Sequence, residues 1–290
     1  MSEYIMDKKV IETRNGKINA IFNFPKETSN KTILCIHGFC SDCRIFNYLS
    51  IELAKNGFNV CSIDLPGHGE SYGEKGDPDF EKALSSINEI INDLKRDHKV
   101  YILAHSLGCT YGLWCDHRFR NIDGMILLSP YIRIPSIKKR SGLEPSNTYF
   151  MYLLLRKIFS PKTKMHATNL PNFLKVGGKE IEQMTRDKKL NFAYSYRYIV
   201  DVLALKNTKI ANLSDVDAPL LIIHGKKDKN VYPQVSEAFY KLVKSKDKKI
   251  EILDCDHWFY HAVFYNQDDA YSEEDRMKVI TLISNWVKSH

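Results

Sequence analysis

Six short apolar runs constrain this chain more than any other feature: Thr32–Ile36, Val60–Ile63, Val100–Ala104, Met125–Leu128, Leu220–Ile223 and Ile250–Leu253. The best of them are continuous rather than alternating. Continuous runs mark strands covered on both faces, and so a parallel sheet. Helical periods lie between them. Phe80, Ala83, Leu84, Ile87, Ile90, Ile91 and Leu94 keep one apolar stripe for four turns, after Pro78 and a capping Asp79. Further helical patterns fall at Phe46–Leu53 and Met277–Trp286. Strands alternating with helices predict βαβ units, an α/β fold with a mostly parallel central sheet flanked by helices. At the start, Val10–Thr13 and Lys17–Phe24 flank Asn15-Gly16, a hairpin signal that predicts two antiparallel edge strands ahead of the parallel set.

The alternation fails between Pro130 and Asn212. This stretch has no buried strand pattern, only helical apolar patterns at Tyr149–Phe159 and Phe192–Leu205. Residues 131–212 carry sixteen Lys and Arg against five Asp and Glu. The whole chain is only +7, so the rest is net acidic. The expected organisation is a core of residues 1–130 and 213–290, with 131–212 inserted as a mobile, basic, helical cap. Tyr149–Leu155 is apolar on nearly every face, which suits packing on the core, an acyl pocket or contact with a lipid surface.

With 290 residues, 43% hydrophobic and 27% charged, the chain is neither disordered nor fibrous, and it needs no disulfide or metal to hold a core. No 18-residue apolar stretch and no apolar leader are visible, and most of the seven cysteines sit in apolar runs. The expectation is a cytoplasmic protein with free thiols. Cys40 and Cys43 have a CxxC spacing, but no second pair and no nearby His pair supports redox or metal use. No basic-aromatic motif for nucleic acid appears.

The chemistry concentrates on Ser106, directly after the run Val100–Ala104 and before a helical pattern. A strand turning sharply into a helix exposes such a serine at the carboxyl edge of the sheet, and its flanking residues, here Ala104 and Gly108, must be small. A neutral hydroxyl needs an imidazole to take its proton and a carboxylate to orient that imidazole. His257 follows Ile250–Leu253 and Asp228 follows Leu220–Ile223, in the order serine, acid, histidine that this elbow requires. His37-Gly38-Phe39 follows Thr32–Ile36, where the Phe39 N–H together with the Leu107 N–H would form an oxyanion hole.

These motifs resemble the α/β-hydrolase superfamily, of the lysophospholipase, monoacylglycerol lipase and serine aminopeptidase type. The resemblance rests on His37-Gly38-Phe39, the stretch Asp64 to Ser71, His105-Ser106-Leu107-Gly108, Ser129-Pro130, His224-Gly225 with Asp228, and His257. It covers 1–130 and 213–290; the middle matches only by position, as a cap. It implies a serine hydrolase with a Ser106–Asp228–His257 triad and no cofactor. The Asp64–Ser71 stretch is expected to be a structural loop beside the site, His68 included. His105 and His224 read as structural. Asp254 and Asp256 neighbour His257 in sequence but are expected to point elsewhere. A serine at 106 argues against the aspartate-nucleophile dehalogenases and epoxide hydrolases.

The expected substrate is a carboxylic ester with an apolar acyl chain, such as a monoacylglycerol or lysophospholipid. The basic cap could also meet an anionic membrane surface. The alternatives are a serine aminopeptidase, which needs an acidic pocket for a free amino terminus, and a non-enzymatic binding or signalling member of the fold.

Overall fold

The computed structural model describes residues 4–134, 137, 139, 141–203, 214–264 and 271–290. Eight strands form one sheet: β1 Tyr4–Thr13, β2 Gly16–Pro25, β3 Lys31–Ile36, β4 Asn59–Ile63, β5 Lys99–His105, β6 Gly124–Leu128, β9 Leu220–Gly225 and β10 Lys248–Leu253. Their order is β1-β2-β4-β3-β5-β6-β9-β10. β1 and β2 pair antiparallel, β2 is antiparallel to β4, and every other pairing is parallel. The hairpin is longer than its apolar signal, because Ile5, Met6 and Val10 of β1 face solvent. Its register pairs Thr13 with Gly16, so Arg14 and Asn15 make the turn, one residue earlier than the Asn15-Gly16 reading.

β3 to β6 and β9 are the continuous apolar runs, and their interiors are buried. Around them lie α1 Asn47–Lys55, α2 Phe80–Leu94, α3 Gly108–Phe119, α4 Asn147–Phe159, α5 Phe173–Arg186, α6 Tyr196–Leu203, α7 Pro233–Leu242 and α8 Glu273–Ser289. The Asp79 side chain accepts the Lys82 N–H at 3.0 Å, which caps α2 where the sequence placed its start. Ser272 caps α8 in the same way. β10 ends the sheet and is only partly covered, with Ile252 38% exposed. Among the described residues no helix is long and apolar enough to cross a membrane.

Two features between β6 and β9 escape the sequence pattern. β7 Lys164–His166 and β8 Ala193–Ser195 pair antiparallel as a separate small ribbon, so this stretch does contain a strand whose residues Tyr194 and Ser195 are buried. Three-residue strands are too short to show a period of two. α5 is the other. Gly177 and Gly178 interrupt it, with Gly178 at φ +64, and glycines inside a helix weaken its period and its propensity. The pattern at Phe192–Leu205 resolves into β8 followed by α6, and its last two residues lie outside the described residues.

The topology decides where chemistry can occur. β3, β5, β6, β9 and β10 run parallel, so the loops after Ile36, His105, Leu128, Gly225 and Leu253 open on one edge of the sheet, the usual ligand edge of such folds.

Candidate active site

β5 ends at His105 and α3 begins at Gly108, leaving two residues for the turn. Ser106 takes it at φ +54, a left-handed conformation that costs a non-glycine residue roughly 1–2 kcal/mol. Three backbone hydrogen bonds hold it there. The Ser106 N–H donates to Leu128 O at 2.9 Å, and the Ser106 carbonyl accepts from the N–H groups of Cys109 and Tyr131, each at 3.1 Å. Gly108 is required by close approach: a Cβ there would lie 2.3 Å from the Ile36 carbonyl oxygen and 2.6 Å from that of His37. The elbow therefore packs its helix directly against the end of β3.

That contact also brings His37-Gly38-Phe39 beside Ser106. The His37 Nε2 accepts the Leu65 N–H at 3.0 Å, so the ring proton is on Nδ1, which donates to the Gly38 carbonyl at 2.9 Å. The Ser41 hydroxyl donates to the same carbonyl at 3.1 Å. In a trans peptide the C=O and the following N–H point in opposite directions. Gripping the Gly38 oxygen on one side thus turns the Phe39 N–H to the other. Among the described residues neither the Phe39 nor the Leu107 N–H has a backbone partner. Burial keeps the His37 pKa below its usual value, so the ring stays neutral in this role.

Across the site, His257 Nδ1 lies 2.7 Å from Asp228 Oδ2. A carboxylate only accepts, so the ring donates from Nδ1 and Nε2 keeps its lone pair. The other carboxylate oxygen accepts the N–H groups of Asn230 at 2.8 Å and Val231 at 2.9 Å. Burial alone would raise the Asp228 pKa. The field of His257 and hydrogen bonds from His224 and His257 outweigh it and hold the carboxyl well below its usual range.

Two further histidines support this pair. His224 Nε2 donates to Val231 O at 2.9 Å and lies 3.3 Å from Asp228 Oδ2, while its Nδ1 meets the Ser236 hydroxyl at 2.6 Å. His105 Nε2 donates to the His257 carbonyl at 3.0 Å, so the ring beside Ser106 in sequence fixes the loop carrying His257. Burial, and then the neighbouring His257, push the His105 pKa well down, which keeps that ring neutral. The sequence reads both as structural; the structure adds that each touches the site's own residues, a contact that no sequence signal marked.

The rival acids are occupied elsewhere. Asp254 pairs with Lys227 at 2.9 Å, and Asp256 accepts from the Trp258 N–H and the Tyr271 hydroxyl. The His68 ring lies 5.1 Å from that of His37, and its Nδ1 is 3.1 Å from Pro66 O. Burial, and then His37, bring its pKa down to about 3. Cys40 and Cys43 are buried free thiols. Cys43 sits with Asp42 and Asp64 in a group close enough for one ion. Its donors are already spent: Asp64 accepts from the Cys43 N–H, the Glu70 N–H and Asn19, and Asp42 is bound by Arg44. Burial keeps the Cys43 thiol protonated.

Ser106, His257, Phe39 and Leu107 all line one cavity of about 720 Å³, counted with its open mouth. The rest of its described wall is almost wholly apolar, with Leu143, Leu170, Phe173, Ile199 and Trp258 among the residues; Asn230 is the polar exception beyond the site itself.

A mostly parallel eight-stranded sheet, a serine on a left-handed strand-to-helix turn and a buried His–Asp pair on the same edge define an α/β-hydrolase. Within that class, residues 27–268 match the serine aminopeptidase, S33 family, and the chain belongs to it. An uncharacterized abhydrolase domain-containing protein of Dictyostelium discoideum is 26% identical over 91% of this chain, which spans only 27% of that protein's length. A putative monoglyceride lipase of Schizosaccharomyces pombe is 24% identical, covering 89% of this chain and 67% of its own. Among solved structures, a soluble variant of monoglyceride lipase from Saccharomyces cerevisiae, in complex with a substrate analog, superposes with a TM-score of 0.72 at 20% identity. It covers 99% of this chain and 97% of its own, a likeness of fold.

Proposed function

We propose that this protein is a serine ester hydrolase acting on carboxylic esters with apolar acyl chains, monoacylglycerols and lysophospholipids being the substrate class. One observation carries the reading: Ser106 and His257 open onto the same cavity, and no ionised Asp, Glu, Lys or Arg side chain stands among its described lining residues. An aminopeptidase must hold a charged amino terminus, and an apolar wall without a carboxylate would leave that charge unpaired at high cost. The lipase names of the fungal relatives support the same direction.

In this mechanism Asp228 holds His257 with Nε2 unprotonated, and His257 takes the hydroxyl proton as Ser106 attacks the ester carbonyl. The developing oxyanion is received by the Phe39 and Leu107 N–H groups. The alcohol leaves with the proton from His257, and a water activated by the same ring releases the acid from Ser106. The described part of the inserted segment acts as a cap over this edge: Leu170 and Phe173 line the cavity beside the catalytic loops.

A series of p-nitrophenyl esters from two to sixteen carbons tests the reading. Each methylene buried contributes about 0.8 kcal/mol, so kcat/KM should rise about fourfold per added carbon until the cavity is full. Amino-acid p-nitroanilides should be cleaved far more slowly. A flat chain-length profile, or faster anilide cleavage, refutes the assignment.

The cap also supports contact with a lipid surface. Of the described large apolar residues that stand exposed, Met151, Tyr152, Leu155, Ile158 and Phe159 all lie on α4, with Phe159 at 79%. Lys162, Lys175 and Lys179 are exposed nearby in sequence, whereas Lys157 and Lys164 are already paired with Asp201 and Glu74. Apolar side chains entering the headgroup region and lysines facing anionic headgroups act together. The double variant Ile158→Asp/Phe159→Asp should co-sediment with phosphatidylglycerol-containing vesicles at least tenfold less than the parent, with short-ester hydrolysis unchanged. Undiminished co-sedimentation would remove α4 from the proposal.

A further inference from the structure

The left-handed residue next to the oxyanion loop is held by a side chain from the inserted segment. Cys40 follows Phe39 directly and stands at φ +57. Its N–H donates to the Tyr194 hydroxyl at 3.1 Å, a contact across 154 residues of chain. Tyr194 belongs to β8 and is completely buried. Its ring lies 4.5 Å from that of Phe39, 5.8 Å from His68 and 5.5 Å from Tyr198. The ring therefore backs the Phe39 side chain while the hydroxyl holds the next peptide.

The residues that follow Tyr194 are anchored to the segment ahead of α2. The Ser195 N–H donates to Gly76 O at 2.9 Å, and the Ser195 hydroxyl donates to Asp77. Arg197 donates to Asp77 Oδ1 at 2.6 Å and to the Pro78 carbonyl at 3.1 Å. The ribbon approaches so closely that a Cβ on Gly76, which stands at φ +75, would fall 1.9 Å from the Ala193 carbonyl oxygen. Tyr194 is thus delivered to the oxyanion loop from a clamped support.

We propose that Tyr194 is a positioning residue for the oxyanion hole. The peptides before and after Phe39 share its Cα. Ser41 and His37 hold the first through the Gly38 carbonyl, and Tyr194 holds the second through the Cys40 N–H. Both grips are needed to keep the Phe39 N–H aimed at a fixed point, because a peptide held at one end can still rotate about the next bond. A residue of the inserted segment thereby sets the strength of a donor in the core, so any displacement of β8 is felt as a loss of rate and not only of substrate binding. This rests on the oxyanion-hole reading given under Proposed function.

Tyr194→Phe keeps the ring and removes the hydroxyl. Loss of a whole oxyanion donor costs about 10²–10³ in kcat, so loss of its aim should cost about tenfold, with KM for a p-nitrophenyl ester unchanged. An alkyl trifluoromethyl ketone, which forms the oxyanion on Ser106, should bind about tenfold more weakly, while a non-reactive ether analogue of the same chain binds as to the parent. If Tyr194→Phe folds poorly, Asp77→Asn loosens the anchor from outside the cavity and should give the same kcat-selective loss. Parental kcat in Tyr194→Phe, or ketone and ether weakened equally, overturns the proposal. A parent that does not hydrolyse esters overturns the underlying reading instead.

Discussion

Replacing Ser106 with alanine should lower kcat on the best p-nitrophenyl ester by about 10⁶-fold, the scale set by removing a triad nucleophile. The fold should survive, since Ser106 contributes to it through its backbone bonds to Leu128, Cys109 and Tyr131, which alanine keeps. A fluorophosphonate probe should label the parent and not the variant. A companion variant separates chemistry from strain. Ser106 stands at φ +54, where only glycine is at ease, so Ser106→Gly should be as inactive as Ser106→Ala yet more stable than it by about 1 kcal/mol. Thermal unfolding of the two variants side by side gives that comparison. Residual ester hydrolysis at the parent's rate in either would place the nucleophile elsewhere.

Asp228→Asn should cost about 10⁴ in kcat, with KM little changed. The amide keeps an oxygen for the N–H groups of Asn230 and Val231, so the 228–231 turn is retained. What it cannot do is accept the His257 Nδ1 proton while offering charge. Its NH₂ favours the other tautomer, with the proton on Nε2, where the Ser106 proton has to go. The pH dependence of stability follows from the same carboxylate. Its folded pKa is depressed, so ionised Asp228 stabilises the native state above the unfolded value of about 4, and that contribution is lost as pH falls through the folded pKa. The stability gap between the parent and Asp228→Asn should be constant near neutrality and narrow below about pH 4. A gap that fails to narrow below about pH 4 would mean that the carboxylate is not held ionised by its histidines.

Much of this was legible in order of residues alone, for a physical reason. Burial on both faces forces continuous apolar runs, so β3 to β6 and β9 announce themselves, and the strand–serine–helix turn at Ser106 leaves its mark in the small residues around it. β10 was legible as a strand too, though its run is broken by Glu251 because an edge strand needs only partial cover, and Ile252 is exposed. α5 was hidden by its own glycines, and β7 and β8 by their length.

The amino-acid order by itself determined the parallel sheet, the sharp turn presenting Ser106 and the family to which the chain belongs, since these depend on local period, steric demand and short ordered motifs. Only the tertiary structure decided that His224 and His105 brace the Asp228–His257 pair, that α4 leaves its apolar side chains in solvent, and that Tyr194 reaches the Cys40 peptide. Apart from the His224–Asp228 approach, those contacts join loops far apart along the chain. Their meeting is set by the twist and stacking of the whole sheet, and no local pattern of residues records it.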